Sequence, residues 1–281
     1  MRTILIPVDF SEASINALRY GISLASYHSS RVLLMHVYKL DMAGGYSLPY
    51  IRNEIVEKTE EKVLGQLKEL TANVNPTILS RVSIEYFVGH GHTVEEVINV
   101  SRVFHVDHII IGMRGEHHML RKILGGTALS LVSQSPKPIL LIPENHFYRP
   151  IKQIAYATNF EEEDPRIIDQ LLKLAKPLAA KVHCIHIRER NEKQDLFKQK
   201  ILRKAFEGDV PVEDIAFSTI AYNKVVEGLN HFVQEREVDV LAMLTHKRSI
   251  FNRLFHKSQT RHMAIESQVP LWAFSLHSPN G

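Results

Sequence analysis

Short apolar runs alternate with longer amphipathic stretches along the whole chain. In the first half, runs rich in Ile, Val and Leu predict strands near residues 3–9, 31–38, 82–88, 107–112 and 138–143. The stretches between them carry apolar residues at helical spacing, such as Leu18, Ile22 and Ala25. Because strands and helices alternate, the pattern predicts βαβ units and a parallel sheet covered by helices.

The second half of the chain repeats this pattern. The run Ile4–Phe10 corresponds to Ile154–Phe160 at an offset of 150, and Val106-Asp107 corresponds to Val238-Asp239 at an offset of 132. The difference between the two offsets indicates an extra loop in the first copy. The repeat predicts two α/β domains of the same fold, at residues 1–146 and 150–281.

Residues that favour helix starts mark the first helix of each copy. Ser11 follows the first predicted strand and is expected to cap a helix. In the second copy, Asp164 and Pro165 predict a cap and a first-turn proline. A charged stretch at 51–70 predicts a helix with a solvated face.

Length and composition are those of a globular protein. The chain has 281 residues, 44% of them hydrophobic, and its 34 basic and 31 acidic residues leave a net charge of only +3. With no basic stripe interleaved with aromatics, we expect no nucleic-acid partner. The single cysteine, Cys184, excludes an internal disulfide. No apolar run approaches the roughly 20 residues of a membrane span and no signal-peptide pattern is seen, so we expect no membrane partner and a cytoplasmic location.

Glycines follow the fourth predicted strand at a spacing that suits a phosphate. Gly112 ends that strand, Gly115 follows it closely, and Gly125 and Gly126 precede Thr127 and a helical pattern. Glycine accepts positive φ and allows a ligand to approach the backbone, while a helix N-terminus favours negative charge. The loop therefore predicts a nucleotide site.

Four blocks of sequence, taken together, point to a known family. They are Pro7-Val8-Asp9-Phe10-Ser11, His36-Val37, Val106–Gly112 and the spacing Gly-x2-Gly-x9-Gly. This set resembles the universal stress protein family, and the resemblance covers nearly the whole chain as a tandem pair of domains. It implies two doubly wound α/β domains, each a five-stranded parallel sheet with helices on both faces. It also implies ATP at the carboxyl ends of the strands and a pseudo-dimer formed through the last strand of each copy, Pro138–Pro143 and Pro270–Ser275.

The resemblance implies roles for residues of the first copy. Asp9 meets the adenine or ribose side of the nucleotide, Val37 covers the base, and Ile111 and Gly112 flank adenine and ribose. The full set of candidate nucleotide-binding residues is Pro7, Val8, Asp9, Val37, Ile111, Gly112, Arg114, Gly115, Gly125, Gly126 and Thr127.

Main-chain N–H groups of the glycine loop are implied to hold the phosphates. The family usually has Ser or Thr directly after the third glycine, whereas this chain has Gly126 there and its hydroxyl one residue later, at Thr127. The amides are retained and the hydroxyl contact is displaced. Three nearby cations either pair with phosphate oxygens or are solvated loop charges: Arg114, Arg121 and Lys122.

The second copy departs from the family pattern. The positions of Gly112, Gly115, Gly125 and Gly126 are taken by Leu244, Lys247, Lys257 and Ser258, and Asn159 replaces Asp9. Bulky side chains where close approach is needed predict a copy that keeps the fold without the nucleotide site. A basic cluster either receives another anion or is an electropositive surface without a dedicated ligand: His246, Lys247, Arg248, Arg253, His256, Lys257, Arg261 and His262.

Metal and enzyme motifs fit the chain poorly. His90-Gly91-His92 and His117-His118 lack the helical spacing of zinc ligands, so we expect no structural metal. His36 and His186 recur at matching strands, which favours a hydrogen-bonding role in the fold. The first strand is followed neither by the histidine motif of nucleotidyltransferases nor by a pyrophosphatase loop, and no nucleophile with a base can be assembled.

Two functions from different classes stay open. The leading hypothesis is a cytoplasmic stress-response protein that binds ATP or a related nucleotide, with or without Mg²⁺, in the first copy. Such a chain is a binding protein more than an enzyme, although slow ATP hydrolysis stays open. The alternative is a protein-interaction module with two vestigial pockets. Protein partners and a homodimer of tandem chains are further expectations, with the partners unidentified by the sequence.

Overall fold

The protein, seen in a computed structural model, is described at residues 2–39, 49–113, 126–188, 193–208, 210–211, 213–245 and 269–275. Two compact units make up the chain. The first comprises Met1–Leu131 and Ile139–Tyr148, and the second comprises Val132–Pro138 and Arg149–Gly281.

Strands and helices alternate in the first unit. Its strands are β1 (Thr3–Pro7), β2 (Arg31–Tyr38), β3 (Ser83–His90), β4 (His108–Met113) and β5 (Ile139–Pro143). Its helices are α1 (Glu12–His28), α2 (Pro49–Ala72), α3 (Pro76–Leu79), α4 (Thr93–Val103) and α5 (Gly126–Gln134), the last of which ends in the second unit. The strands pair in parallel in the order β3-β2-β1-β4-β5. This is a doubly wound order, and the predicted strands are confirmed to within two residues.

The second unit has the same order of strands. Its strands are β6 (Gln153–Ala157), β7 (Lys181–Arg188), β8 (Ile215–Ala221), β9 (Val240–Thr245) and β10 (Leu271–Ser275). Its helices are α6 (Asp164–Ala175), continued by a 3-10 turn at Lys176–Leu178, α7 (Lys193–Lys204) and α8 (Val225–Glu235). The strands pair in parallel as β10-β9-β6-β7-β8. The α/β fold with parallel sheets is therefore confirmed in both units.

Left-handed backbone conformations recur at equivalent residues of the two units. Among the residues that the structure describes, three non-glycine residues in each unit have left-handed backbone, a conformation that costs an L-residue about 1–2 kcal/mol. The matching pairs, with their φ angles, are Phe10 (61°) and Phe160 (59°), Ser29 (47°) and Ala179 (51°), and His105 (49°) and Glu237 (48°). The two units therefore share turns as well as strands, and in two of the three pairs the side chains differ.

Burial explains where the elements lie. All of β1 is buried, and α1 turns Ala17, Leu18 and Ile22 into the core of the first unit. Ser11 caps α1, since its hydroxyl accepts a hydrogen bond from the main-chain N–H of Ser14 at 3.3 Å, as predicted. Within the described part of the chain, no helix combines the length and the apolar character that crossing a membrane requires.

Candidate functional site

A crevice at the carboxyl ends of β1 and β4 is the candidate site of the first unit. β1 pairs with β2 on one side and with β4 on the other, with Pro7 opposite Met35 and Leu5 opposite Ile109. The chain leaves β1 through α1 toward β2, so the strand order reverses between β1 and β4. Doubly wound sheets bind ligands outside the carboxyl ends of their strands at such a reversal.

A tight turn after β1 shapes one wall of the crevice. The N–H of Val8 continues the strand by donating to the carbonyl oxygen of Met35 at 2.8 Å. Phe10 then takes its left-handed backbone and packs its ring on His36, with ring centres 4.7 Å apart. Nδ1 of His36 donates to the carbonyl oxygen of Val8 at 2.7 Å, which confirms the hydrogen-bonding role predicted for this histidine.

Asp9 lies at the centre of this turn and is exposed. Its Oδ1 accepts hydrogen bonds from the hydroxyl of Ser11 and from the N–H of Ser11, the latter at 3.1 Å. Its own N–H donates to the hydroxyl of Ser14 at 3.3 Å. The carboxylate is thus fixed at the N-terminus of α1, where the helix dipole favours a negative charge.

The other predicted residues of the strands differ in exposure. Pro7 and Val8 are buried, and Ile111 is only 8% exposed, whereas Val37 is half-buried. Val37 follows His36 on β2 and lies opposite Gly89 of β3. Main-chain atoms of Pro7, Val8 and Ile111 are therefore available to a ligand more readily than their side chains, while Val37 can offer an apolar surface.

Gly112 is required by packing inside the unit. A Cβ atom at this position would lie 2.2 Å from the carbonyl oxygen of Ala13 and 2.9 Å from the N atom of Ser14. The first turn of α1 therefore lies directly against β4, and only glycine fits between them. Gly112 does not have positive φ. The sequence argument explained this glycine by ligand approach and a strained backbone, and the structure gives the close approach of α1 as its physical reason.

The start of α5 is open. Gly126 and Thr127 are the first two residues of the helix, and both are exposed. Among the described residues, a Cβ atom at Gly126 would have no neighbour within 4 Å. A helix N-terminus with free space in front of it can accept an anion. The remaining predicted residues, Arg114, Gly115 and Gly125, lie outside the described residues, as do Arg121, Lys122, His117 and His118.

A family model describes the half of the chain that holds this crevice. The model of the universal stress protein family matches residues 1–143. The chain belongs to the universal stress protein family.

Two relatives and one solved structure show how far the likeness extends. The chain is 25% identical over 155 residues, half its length, to a universal stress protein of Methanocaldococcus jannaschii, of which it covers 94%. It is 26% identical over 149 residues, 49% of the chain, to universal stress protein YxiE of Bacillus subtilis, of which it covers 96%. A solved universal stress protein from Archaeoglobus fulgidus matches 98% of both chains with a TM-score of 0.71 and 16% identity, which shows the same fold across both units.

The second unit of this universal stress protein has different side chains at the equivalent crevice. Leu244 occupies the position of Gly112 and is buried, at 4% exposure, while Asn159 occupies the position of Asp9. Nδ1 of His186 donates to the carbonyl oxygen of Thr158 at 3.0 Å, and its ring lies 4.5 Å from that of Phe160. The turn is thus preserved without the acidic residue. Lys247, Lys257, Ser258 and the rest of the predicted basic cluster lie outside the described residues.

A buried carboxyl group lies under this second turn. Asp164 accepts hydrogen bonds from the hydroxyl of Tyr156 at 2.5 Å, from the hydroxyl of Thr158, and from the N–H of Glu161 at 3.0 Å. Burial raises the pKa of Asp164, although its three donors act in the opposite direction. Burial, followed by the charge of Asp164, raises the pKa of Tyr156 well above its usual value. The group is therefore a closed internal network.

This network corrects one sequence prediction. Asp164 is the first residue of α6 and Pro165 lies in its first turn, but Asp164 makes no capping bond to the helix and binds Tyr156 and Thr158 instead. A signal for it exists in the repeat, because the equivalent residues in the first unit are Ser14, Ile6 and Val8. The second unit thus has two hydroxyl donors where the first unit has apolar residues, and an acid where the first unit has a serine.

Proposed function

We propose that the first unit binds ATP or a related nucleotide, and that the chain acts as a nucleotide-binding protein in the cytoplasmic stress response. One observation carries the proposal: exposed Asp9 and the open start of α5, at Gly126 and Thr127, both belong to the carboxyl edge of a doubly wound sheet. A nucleotide needs a polar partner for its nucleoside end and an amide-rich site for its phosphates. The crevice offers both.

Each described residue then has a proposed role. Asp9 meets the adenine or ribose, Val37 covers the base with its half-buried side chain, and the main chain at Ile111 and Gly112 flanks the nucleoside. The N–H groups of Gly126 and Thr127 receive phosphate oxygens. Any Mg²⁺ is expected to arrive with the phosphates and to keep water ligands, as this ion usually does in nucleotide complexes.

A second function is favoured by a specific observation. Gly112 is explained by the approach of Ala13, and the carboxylate of Asp9 is engaged with Ser11, so both have a role within the fold. A protein-interaction module that binds no nucleotide would keep these residues for the same reasons. The two hypotheses differ in what occupies the crevice.

Mass spectrometry of small molecules released from freshly purified, denatured protein tests the first hypothesis directly. We expect a nucleotide, and calorimetry with added ATP after its removal is expected to give close to one site per chain. Absence of nucleotide together with no heat of ATP binding would support the interaction module. Two equivalent sites would contradict the assignment to the first unit.

Gly115→Val provides a sharper variant, chosen from the sequence. The branched side chain is expected to block phosphate approach and abolish ATP binding. Gly65→Val on α2 is the control. A Cβ atom at Gly65 meets no described atom within 4 Å, and Gly65 is distant in sequence from the glycine loop. If both variants bind ATP like the wild type, the phosphate-loop assignment is wrong.

Turnover is expected to be absent or far below the roughly 10 per second of a typical enzyme. Fast phosphoryl transfer needs a fixed metal, an oriented nucleophile and charge stabilisation. Asp9, the acidic residue that we assign to the crevice, is proposed to meet the nucleoside end, away from the phosphates. A single-turnover assay with Mg²⁺ is expected to leave ATP intact for many minutes, and loss within seconds that disappears in Gly115→Val would overturn the binding-protein proposal.

A further inference from the structure

Helix α7 in the second unit presents large apolar side chains to solvent. Leu196, Phe197 and Ile201 are 56%, 67% and 55% exposed, whereas Leu202 is buried at 6%. A surface helix usually turns such residues toward the core. Of these four residues, only Leu202 is buried in the core, so the exposure of the other three needs a different explanation.

The three exposed residues share one side of the helix. At about 100° per residue, Leu196 and Ile201 lie about 140° apart, and Phe197 lies between them. Lys200 and Lys204 fall within the same arc, and both are exposed. The outward side of α7 therefore mixes apolar side chains with the ends of lysines.

The charge of α7 is unbalanced. Its twelve residues include four lysines and one arginine against a single acid, Asp195. Helix α2 is also highly charged, but its bases and acids nearly balance, and Lys58 pairs there with Glu54 at 2.6 Å. On α7, Arg203 approaches Glu207 at 3.8 Å. The surface of α7 is thus both cationic and apolar.

We propose that the outward side of α7, defined by Leu196, Phe197, Lys200, Ile201 and Lys204, is a contact surface for an anionic lipid membrane. The helix would lie in the plane of the membrane surface, with its apolar side chains among the acyl chains and its cations among the headgroups.

The position of the lysines favours lipid over a protein partner. Charged residues are depleted from the cores of protein interfaces, where a lysine would lose its water. Lys200 and Lys204 lie inside the apolar arc, so a protein covering that arc would bury them. At a membrane, a lysine extends its chain along the apolar layer and keeps its ammonium group at the headgroups. The expectation of no membrane partner rested on the missing span, and a helix lying on the surface needs none.

Binding through three apolar side chains and a few cations is expected to be weak, reversible and dependent on salt. Flotation of the full chain with vesicles tests it. We expect the protein to float with vesicles of equal phosphatidylcholine and phosphatidylglycerol and to stay behind with phosphatidylcholine alone. Salt at about 1 M, which shortens the screening length to roughly 3 Å, is expected to release it.

Matched variants locate the contact. Phe197→Ser is expected to lower partitioning about tenfold, since it removes an exposed aromatic side chain. Phe147→Ser is the control, because Phe147 is 70% exposed in the first unit. Lys200→Glu is likewise expected to weaken binding, whereas Lys68→Glu on the exposed side of α2 is expected to leave it unchanged.

Four results would overturn the proposal. Flotation with neither type of vesicle would exclude a lipid surface, and equal flotation with both would exclude the role of charge. Equal losses in Phe197→Ser and Phe147→Ser would place the contact elsewhere. Concentration-dependent self-association that Phe197→Ser abolishes, without flotation, would assign the surface to a second copy of the chain. Every variant in these assays keeps the residues proposed to bind nucleotide, so their outcome is independent of the nucleotide proposal.

Discussion

The two units build the same turn after their first strands and place different side chains beneath it. Phe10 and Phe160 have the same left-handed backbone, and each packs on a histidine that donates to the main chain two residues earlier. Beneath the turn of the first unit lies the hydroxyl of Ser14, and beneath that of the second lies the carboxyl group of Asp164. The turn therefore depends on the phenylalanine and histidine pair, and the group below it is free to change.

The end of the fourth strand shows the same freedom. Gly112 leaves room for α1 to begin at Glu12, whereas Leu244 fills the equivalent position in the second unit. There, α6 begins at Asp164, two residues later than the offset of 150 would place it. The comparison indicates that the strand-end residue and the helix start change together.

Gly112→Ala is the strongest test of this relation. The added Cβ would lie 2.2 Å from a main-chain oxygen that cannot move without shifting α1, so we expect the first unit to lose about 3 kcal/mol of stability. Hydrogen exchange of amides in β1, β4 and α1 measures the loss.

Two controls accompany that variant. Gly126→Ala has open space around the new methyl group and is expected to leave stability unchanged or slightly higher. Trp272, the single tryptophan of the chain, is buried in the second unit, so its fluorescence reports unfolding there. A stable Gly112→Ala first unit would show that the tight contact with Ala13 does not exist in solution.

Asp164→Ala is expected to destabilise the second unit by about 2 kcal/mol, because it leaves the buried hydroxyls of Tyr156 and Thr158 without their acceptor. Denaturation followed by Trp272 fluorescence measures this. Ser14→Ala at the equivalent position of the first unit is expected to cost less, since the hydroxyl of Ser14 bonds to main-chain groups of the turn: it accepts from the N–H of Asp9 at 3.3 Å and donates to the carbonyl oxygen of Ser11 at 2.9 Å.

Asp164→Asn adds a pH dependence to this test. Burial raises the pKa of Asp164, so between the unfolded and folded pKa values the folded state holds more protons than the unfolded state. The contribution of Asp164 to stability is therefore present below this window and is lost as the pH rises through it. The asparagine variant does not titrate, so it is expected to gain stability relative to the wild type as the pH rises. If the difference in stability between the wild type and Asp164→Asn stays constant with pH, the raised pKa of Asp164 is contradicted.

Asp9→Asn converts the turn of the first unit to the residue found in the second. The amide oxygen can still accept from Ser11, so the fold is expected to persist, while loss of the charged acceptor lowers ATP affinity about tenfold by calorimetry. The reverse variant, Asn159→Asp, is expected to leave the stoichiometry at one. Unchanged affinity in Asp9→Asn would mean that Asp9 serves the turn alone.

The sequence predicted the strands and the repeat well because both depend on local patterns. Apolar runs such as Ile4–Ile6 and Ile109–Ile111 are buried, and each has a counterpart in the second half of the chain. Ser11 as a helix cap was also predicted, because its hydrogen bond reaches only three residues along the chain. Features set by neighbouring residues in sequence were thus accessible.

Features that depend on residues distant in sequence could not be predicted from local patterns. The need for glycine at 112 comes from Ala13, about a hundred residues earlier, and the role of Asp164 comes from the side chains above it. On α7, apolar spacing alone would have turned Phe197 and Ile201 toward the core, and only the packed helix places them outside. The roles predicted for Arg114, Gly115 and Gly125 stay predictions, since these residues are outside the described ones.

Gly126→Ser is expected to give the smallest effect and tests the open start of α5. It restores a hydroxyl directly after the third glycine, where the family usually has one, and the new Cβ meets no atom of the described residues within 4 Å. One added hydrogen bond to a phosphate oxygen is worth about 1 kcal/mol at most in such an exposed place, so we expect ATP affinity to rise about threefold. Gly65→Ser, at an equally open position on α2, is the control and is expected to bind ATP like the wild type. A gain confined to Gly126→Ser would place the phosphates at the first turn of α5. Equal affinity in both variants would mean that no phosphate reaches that turn, and the difference between the two units would then concern folding alone.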